Sequence, residues 1–249
     1  MSNIALITGA TSGIGAAFAR KLASQNYDLI ITGRREDKVN ALAEKLRNQY
    51  KIKIEVVIAE LSDDKTVDAL VTKIKNLDNL EILINNAGFG VGGKFFQEDI
   101  TPYEKMISVH VTATMKLTHA ALPKMLAQKK GVIINVSSIV GFFPWMRSIV
   151  YAATKAFINL FTEALYREIK HSGVRIQALC PGITATDFFT GMGTTVNSFP
   201  HIKMKLFKPM LPETVVEKSL QALKKNQVYC IPGALNKAVV FCGKLLRLF

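Results

Sequence analysis

The feature that most constrains the fold is a repeated alternation of short apolar runs with longer amphipathic segments. Seven β-branched runs recur along the 249 residues, at 4–8, 27–32, 53–59, 81–85, 131–137, 174–180 and 228–231. They are nearly continuous apolar stretches, which is typical of parallel strands covered on both faces. The alternation predicts βαβ units and therefore an α/β fold, a doubly wound parallel sheet of about seven strands with helices on both faces.

The segments between the strands have helical periodicity. At 36–49, for example, Val39, Leu42, Ala43 and Leu46 fall on one face. No internal repeat, low-complexity tract or linker interrupts the pattern. We therefore expect a single domain that spans the whole chain.

Composition argues against several other classes of protein. Hydrophobic residues make up 49% and charged residues 20% of the chain, which is typical of a globular protein and not of a disordered one. No run reaches the roughly 20 apolar residues that a membrane-spanning helix needs. The N-terminus enters an apolar strand at once, without a basic start or a cleavage site, so a cytoplasmic location is expected. Three cysteines and four histidines are scattered, so neither a disulfide framework nor a metal site is expected.

The net charge of +13 is unevenly distributed. Residues 201–249 contain nine Lys or Arg and two Glu. Such an excess can attract nucleic acid, an anionic membrane surface or a phosphorylated ligand, and it can equally be a solvated basic face. Because no nucleic-acid recognition module accompanies the excess, we expect no nucleic-acid partner.

The stretch TGATSGIG, residues 8–15, follows the first strand directly and begins a helix. Its glycines allow a tight turn and a close approach of pyrophosphate to the backbone, while the helix N-terminus offers free N–H groups. Glycine is common in any strand-to-helix turn, but the position at the first strand and first helix matches a dinucleotide site. The cofactor-binding residues predicted here are Gly9, Thr11, Ser12, Gly13, Ile14 and Gly15.

The second strand ends in TGRRE, residues 32–36. An NAD site commonly has an acidic residue here for the ribose 2′-hydroxyl, whereas arginine suits the 2′-phosphate of NADP. Gly33 stands where the acid is expected, and Arg34 and Arg35 follow it. NADP(H) is therefore favoured over NAD(H), with Arg34 the stronger candidate. The alternative is a solvated pair of arginines at the start of a helix.

In YAATK, residues 151–155, a tyrosine and a lysine stand four places apart and share one face of a helix. A phenol with a pKa of ~10 becomes a usable acid or base at neutral pH only when its anion is stabilised, which a neighbouring ammonium group can do. Packing of a helix face is the other interpretation of the pair.

Five motifs together resemble the short-chain dehydrogenase/reductase family, and the resemblance covers nearly the whole chain. They are the glycine turn at 8–15, NNAG at 85–88, Ser138, the Tyr151–Lys155 pair and PGITAT at 181–186. The resemblance implies a Rossmann-like fold. It also implies an NADP(H)-dependent oxidoreductase that transfers hydride between nicotinamide and a small-molecule carbonyl or alcohol substrate.

The resemblance also implies roles for individual residues. Tyr151 would be the general acid or base, Lys155 would lower its pKa and bind the nicotinamide ribose, and Ser138 would orient the substrate oxygen. The further cofactor contacts that it implies are Asn86, Ala87, Gly88, Tyr151, Lys155, Pro181, Gly182, Thr184 and Thr186. The Pro–Gly pair among them can also simply turn the chain after a strand.

Two positions depart from the family's pattern. Glu60-Leu61 stands after the third strand where the family usually has Asp-Leu or Asp-Val, and the longer acid can still contact adenine. His110 replaces a catalytic asparagine whose main-chain carbonyl holds a water of the proton relay. We expect a neutral His110, because an imidazolium beside Lys155 is disfavoured, and activity that is retained at an equal or slower rate. The alternative is a sensor or scaffold that binds NADPH without turnover.

Apolar residues surround the predicted site. These residues lie at 142–146 and at 187–211, and the resemblance places the second segment over the substrate. They predict that the substrate is a lipophilic carbonyl compound, although packing in the core or at a subunit interface also explains them.

The apolar, basic tail at 235–249 is too short to span a bilayer. It can lie at a membrane surface, close the pocket or pack on another subunit. The resemblance implies a homodimer or homotetramer built through the helices at about 101–127 and 149–171.

Overall fold

The computed structural model describes residues 2–146, 148–186, 188 and 208–245. Within these residues, seven strands form one parallel sheet in the order β3-β2-β1-β4-β5-β6-β7. The strands are β1 (Ile4–Ile7), β2 (Asp28–Gly33), β3 (Ile54–Ile58), β4 (Leu80–Asn85), β5 (Gly131–Val136), β6 (Val174–Leu179) and β7 (Tyr229–Cys230). The predicted doubly wound sheet is confirmed.

Eight α-helices are described. They are α1 (Gly13–Ala23), α2 (Glu36–Tyr50), α3 (Asp64–Asn76), α4 (Thr101–Ile107), α5 (Thr114–Ala127), α6 (Ile149–Ile169), α7 (Pro212–Lys224) and α8 (Ala234–Leu245). A π-helical segment, Ser108–Ala113, joins α4 to α5, and a 3-10 turn, Ile139–Phe142, follows β5. The helices predicted at 36–49, 101–127 and 149–171 are therefore present, the second with an irregular centre.

The sheet separates two hydrophobic cores. Along β1, Ala5 and Ile7 point into the core under α1, α2 and α7, and Leu6 points into the core under α3, α5 and α6. Phe18 of α1 and Leu117 of α5 are almost completely buried on opposite faces. Burial on both faces explains why the strands are apolar at nearly every position, since neither face meets water.

The strand order brings the predicted site residues to one edge of the sheet. The chain moves outward from β1 to β3 and then crosses back to pair β4 with β1. Such a reversal opens a crevice at the carboxyl ends of the strands, which is where ligands bind in open α/β sheets. The turns after β1, β2, β4, β5 and β6 all reach this crevice.

Two predicted segments lie partly outside the described residues. Of the substrate-covering segment at 187–211, only Phe188 and the residues from 208 onward are described, and of the tail at 235–249 the last four residues are not. Along the described parts of the chain, we find no helix with both the length and the hydropathy to cross a membrane.

Candidate active site

A cleft of about 620 Å³ occupies the crevice at the carboxyl edge of the sheet. Nearly all of the residues predicted from sequence line it. They are Gly9, Thr11, Ser12, Gly13, Ile14, Arg34, Arg35, Glu60, Leu61, Asn86, Ala87, Gly88, Ser138, Tyr151, Lys155, Pro181, Gly182, Thr184 and Thr186. The two that do not line it are Gly15, which packs behind the glycine turn, and His110, which is buried behind the cleft wall.

The glycine turn has the shape of an anion cradle. A Cβ atom on Gly15 would lie 2.3 Å from the carbonyl oxygen of Gly9, so no side chain fits at that position. The N-cap of α1, Ser12, makes no side-chain hydrogen bond to the helix, and the first turn has no acidic residue. The N–H groups and the positive end of the helix dipole therefore face the cleft, an arrangement that fits a pyrophosphate.

Hydrogen bonds tie the glycine turn to the end of β4. The amide nitrogen of the Asn86 side chain donates to the carbonyl oxygens of Thr8 and Gly9, both at 2.9 Å. In return, the Thr8 hydroxyl accepts from the backbone N–H groups of Asn86, at 2.9 Å, and Ala87, at 3.0 Å. The two loops thus form one unit, which explains the value of the second asparagine in the NNAG motif.

The two arginines after β2 have different partners. The Arg35 guanidinium donates to the hydroxyls of Thr11 and Ser12, both at 2.9 Å, and so lies over the glycine turn. The Arg34 guanidinium pairs with the Glu60 carboxylate at 3.2 Å and lies 5.9 Å from the centre of the Phe89 ring. Burial raises the pKa of Glu60, but hydrogen bonds from Ser62 and Arg34 outweigh it, so the net shift is downward. Both cations therefore line the part of the cleft expected to hold the adenosine ribose.

Tyr151, Lys155 and Ser138 meet on the opposite wall. The Lys155 ammonium lies 5.6 Å from the centre of the Tyr151 ring and donates to the carbonyl oxygen of Val136 at 2.9 Å. The Ser137 hydroxyl donates to the carbonyl oxygen of Lys155 at 3.0 Å, which holds α6 against the end of β5. The structure thus brings together the three groups that the resemblance named.

Burial is the largest cause of the pKa shifts of both Tyr151 and Lys155. It raises the pKa of Tyr151 to about 12, although a hydrogen bond with Ser138 acts in the other direction. It lowers the pKa of Lys155 to about 8. The net shift of the Tyr151 pKa is upward in this structure, because desolvation of the phenolate is its largest cause. The lowering of this pKa by Lys155, which the resemblance implies, stays a prediction.

His110 lies in the π-helical segment with 1% of its surface exposed. Its Nε2 accepts a hydrogen bond from the backbone N–H of Phe89 at 3.1 Å, and its Nδ1 lies 2.9 Å from the Thr154 hydroxyl oxygen. Burial, and secondly the charge of Lys155, hold the pKa of His110 well below its ordinary value of 6.5. The imidazole is therefore neutral at pH 7, as expected.

Two residues of α8 that line the cleft were not named as site residues from the sequence. Asn236 and Val239 of α8 line it, and the Asn236 side chain lies so close to Gly182 that a Cβ there would be 2.3 Å from Asn236 Oδ1. Phe143 and Trp145 also line the cleft, so the predicted apolar stretch at 142–146 contributes two of its side chains. No sequence signal marks residue 236 as a neighbour of residue 182, because only the packing of α8 brings them together.

The described residues contain no group of three or more His, Cys, Asp or Glu side chains that could hold a metal ion.

Comparison with known proteins identifies the family. A family model described as short chain dehydrogenase matches residues 3–197. The 3-oxoacyl-[acyl-carrier-protein] reductase of Aquifex aeolicus is 36% identical over 185 residues, which cover 74% of this chain and 75% of that protein. A short-chain dehydrogenase from Sphingobium yanoikuyae, solved in complex with NADPH, has a TM-score of 0.88 at 30% identity over 99% of this chain and 94% of that one. The bulky-bulky ketone specific alcohol dehydrogenase from Comamonas testosteroni has a TM-score of 0.83 at 28% identity over 99% and 93% of the two chains. The chain therefore belongs to the short-chain dehydrogenase family of oxidoreductases.

Proposed function

We propose that the protein is an NADP(H)-dependent oxidoreductase that reduces a lipophilic ketone or aldehyde. The observation that carries the proposal is that Ser138, Tyr151 and Lys155 share one cleft with an anion-binding glycine turn. The NADPH complex of the Sphingobium relative and the bulky ketone specificity of the Comamonas relative support the cofactor and the substrate class. When bound, the nicotinamide supplies the hydride.

Different residues of the cleft would bind different parts of the cofactor. The N-terminus of α1 would hold the pyrophosphate, and Arg34 and Arg35 would bind a ribose 2′-phosphate, for which a guanidinium is well suited. Asn86, Ala87 and Gly88 would lie along the adenosine ribose. The nicotinamide end would lie against the segment after β6, whose cleft-lining residues are Pro181, Gly182, Ile183, Thr184 and Thr186.

Tyr151 and Ser138 would handle the substrate oxygen. The serine hydroxyl would orient the carbonyl oxygen by a hydrogen bond, and the tyrosine hydroxyl would donate a proton to it. Since the pKa of Tyr151 is raised to about 12, the phenol is protonated at neutral pH and is ready to act as an acid. A positioned proton donor typically contributes ~10²–10⁴-fold in rate.

The walls around Tyr151 suit an apolar substrate. The centres of the Phe188 and Tyr151 rings are 5.5 Å apart, and those of the Phe143 and Trp145 rings are 6.0 Å apart. Val239 of α8 lines the same cleft. Because such walls offer few hydrogen-bonding groups, they would accommodate a bulky hydrocarbon group better than a sugar.

We also propose that two or four copies assemble through α4 and α6. These helices carry an exposed apolar groove, in which Ile149 is 56% and Ile107 44% exposed. A second copy would remove this surface from water.

Contact of α8 with a membrane stays a prediction, as does the cytoplasmic location. Phe241, 70% exposed, is the residue of α8 that such contact would use first.

The test combines cofactor binding with turnover. Dissociation constants for NADPH and NADH are measured by fluorescence, and NADPH consumption is then followed with aldehydes and ketones of graded chain length. We expect tighter binding of NADPH, turnover that rises with hydrocarbon size, and a loss of at least 100-fold in Tyr151→Phe. Tyr166→Phe, on the same helix but outside the cleft, is the matched control. NADPH binding without turnover of any carbonyl would instead favour a sensor, and a preference for small sugars would refute the lipophilic substrate.

A further inference from the structure

Both ring nitrogens of His110 are used inside the protein. The Phe89 N–H can only donate, so Nε2 must be the unprotonated, accepting nitrogen. Nδ1 then carries the proton and donates it to the Thr154 hydroxyl oxygen, 2.9 Å away. That hydroxyl is free to accept because it donates its own proton to the carbonyl oxygen of Tyr151 at 2.8 Å. The hydrogen bonds thus run in one direction and define one tautomer.

This chain of bonds joins the two walls of the cleft. Phe89 lies in the loop after β4, which lines the cofactor side, and Tyr151 and Thr154 lie on α6, which carries the predicted proton donor. The imidazole also packs edge-on against the rings of Phe89 and Tyr151, at 6.0 and 5.7 Å between centres. A Cβ on Gly88 would lie 2.7 Å from Nε2, so the loop closes tightly over the ring.

We propose that His110 is a positioning residue, not a catalytic one: its neutral Nδ1–H tautomer joins the loop after β4 to α6 and holds Tyr151 against the cleft. With both nitrogens engaged and the side chain buried, the imidazole does not reach substrate. The inference rests on the proposed function for its kinetic consequence, but the tautomer itself does not depend on any activity.

The first experiment tests the tautomer directly. Protein labelled with ¹⁵N-histidine is studied by NMR from pH 6 to 8, and the His110 signals are assigned by their loss in His110→Asn. We expect a neutral ring with the proton on Nδ1 throughout this range. The proton on Nε2, or titration with a midpoint near 6.5, overturns the inference whether or not the protein reduces carbonyls.

The second experiment tests positioning by non-additivity. His110→Ala and Thr154→Val each break the same bridge, so each should lower kcat by about 10-fold or more. The double variant should be no slower than the slower single variant, since residues that act as a unit are not additive. His110→Asn, which keeps a donor and an acceptor, should recover part of the rate. His119→Ala, on the exposed side of α5, is the matched control.

Further measurements on these variants distinguish positioning of Tyr151 from a general loss of stability. Thermal unfolding identifies variants that fail to fold, and the NADPH dissociation constant of the folded variants should change by less than about 3-fold. The pH dependence of kcat/KM should shift in His110→Ala but not in the control. Multiplicative effects of the two single variants, or an unchanged kcat in His110→Ala, would overturn the positioning role, and inactivity of the unmodified protein would count against the proposed function alone.

Discussion

The Lys155 ammonium donates to the carbonyl oxygen of Val136 at 2.9 Å, which anchors the predicted catalytic helix to the end of β5. The carbonyl satisfies one donor of the buried cation, but its dipole does not compensate fully for the loss of water. The pKa of Lys155 therefore falls to about 8 from its ordinary value of 10.5. The bond explains how a lysine with 5% of its surface exposed stays at the base of the cleft.

Lys155 gives the folding stability a defined dependence on pH. Between pH 8 and 10.5 the unfolded chain binds the lysine proton and the folded chain does not, so the contribution of this group to the free energy of unfolding rises with pH in that window. The shift corresponds to about 3 kcal/mol in total. Urea unfolding at pH 7.5 and 9.5 measures this effect: the free energy of unfolding of the natural protein minus that of Lys155→Met should be more positive at pH 9.5 than at pH 7.5. A signed difference that falls as the pH rises would contradict this prediction.

The two arginines after β2 should determine the cofactor preference. Arg34→Ala and Arg35→Ala should each raise the dissociation constant of NADPH by about 10- to 100-fold, since a hydrogen bond to a charged group contributes about 1.5–3 kcal/mol. NADH binding should change by less than about 3-fold, because it lacks the 2′-phosphate. Fluorescence titration with both cofactors measures this. Lys38→Ala, on the first turn of α2, is the control, and equal losses for NADPH and NADH would show that the arginines bind another part of the cofactor.

Substitutions at Gly182 and Asn236 should have non-additive effects on the free energy of unfolding. In Gly182→Ala the new Cβ would lie 2.3 Å from Asn236 Oδ1, and the neighbouring amide nitrogen is held by the carbonyl oxygen of Pro232. We expect a loss of about 1–3 kcal/mol in the free energy of unfolding, the usual cost of overpacking. Asn236→Ala in the same chain should restore most of it, because the clashing atoms are removed. Thermal unfolding of the two single variants and the double variant measures the coupling, and additive losses would contradict the contact.

Val239 should limit the size of the substrate. A larger side chain, in Val239→Phe, would fill part of the cleft that Val239 lines together with Phe143 and Trp145, and we expect it to exclude the bulkiest carbonyl compounds. We expect kcat/KM to fall by at least 10-fold for the longest substrates and to change little for the shortest. Leu235→Phe, an exposed position on α8 outside the cleft, is the control. Equal losses for all chain lengths would show that α8 does not line the substrate site.

The amino-acid sequence by itself determined the secondary structure and most of the site. Every predicted strand run overlaps a strand of the sheet, because burial on both faces leaves a local pattern of apolar residues. The glycine turn and the Tyr151–Lys155 pair were predictable for the same reason, since each is defined by neighbours within a few residues. Parallel topology then carried these local motifs to a single edge.

Only the tertiary structure decided which distant groups touch and how they ionise. The contact of Asn236 with Gly182 and the bonds of His110 to Phe89 and Thr154 join segments separated by 21 to 54 positions in the chain. The raised pKa of Tyr151 follows from burial, which no spacing of residues reveals. The spacing of apolar residues indicates which face of a helix or strand is buried. The partners of a buried polar atom depend on how the elements pack, and the energy of its ionisation depends on the water they exclude.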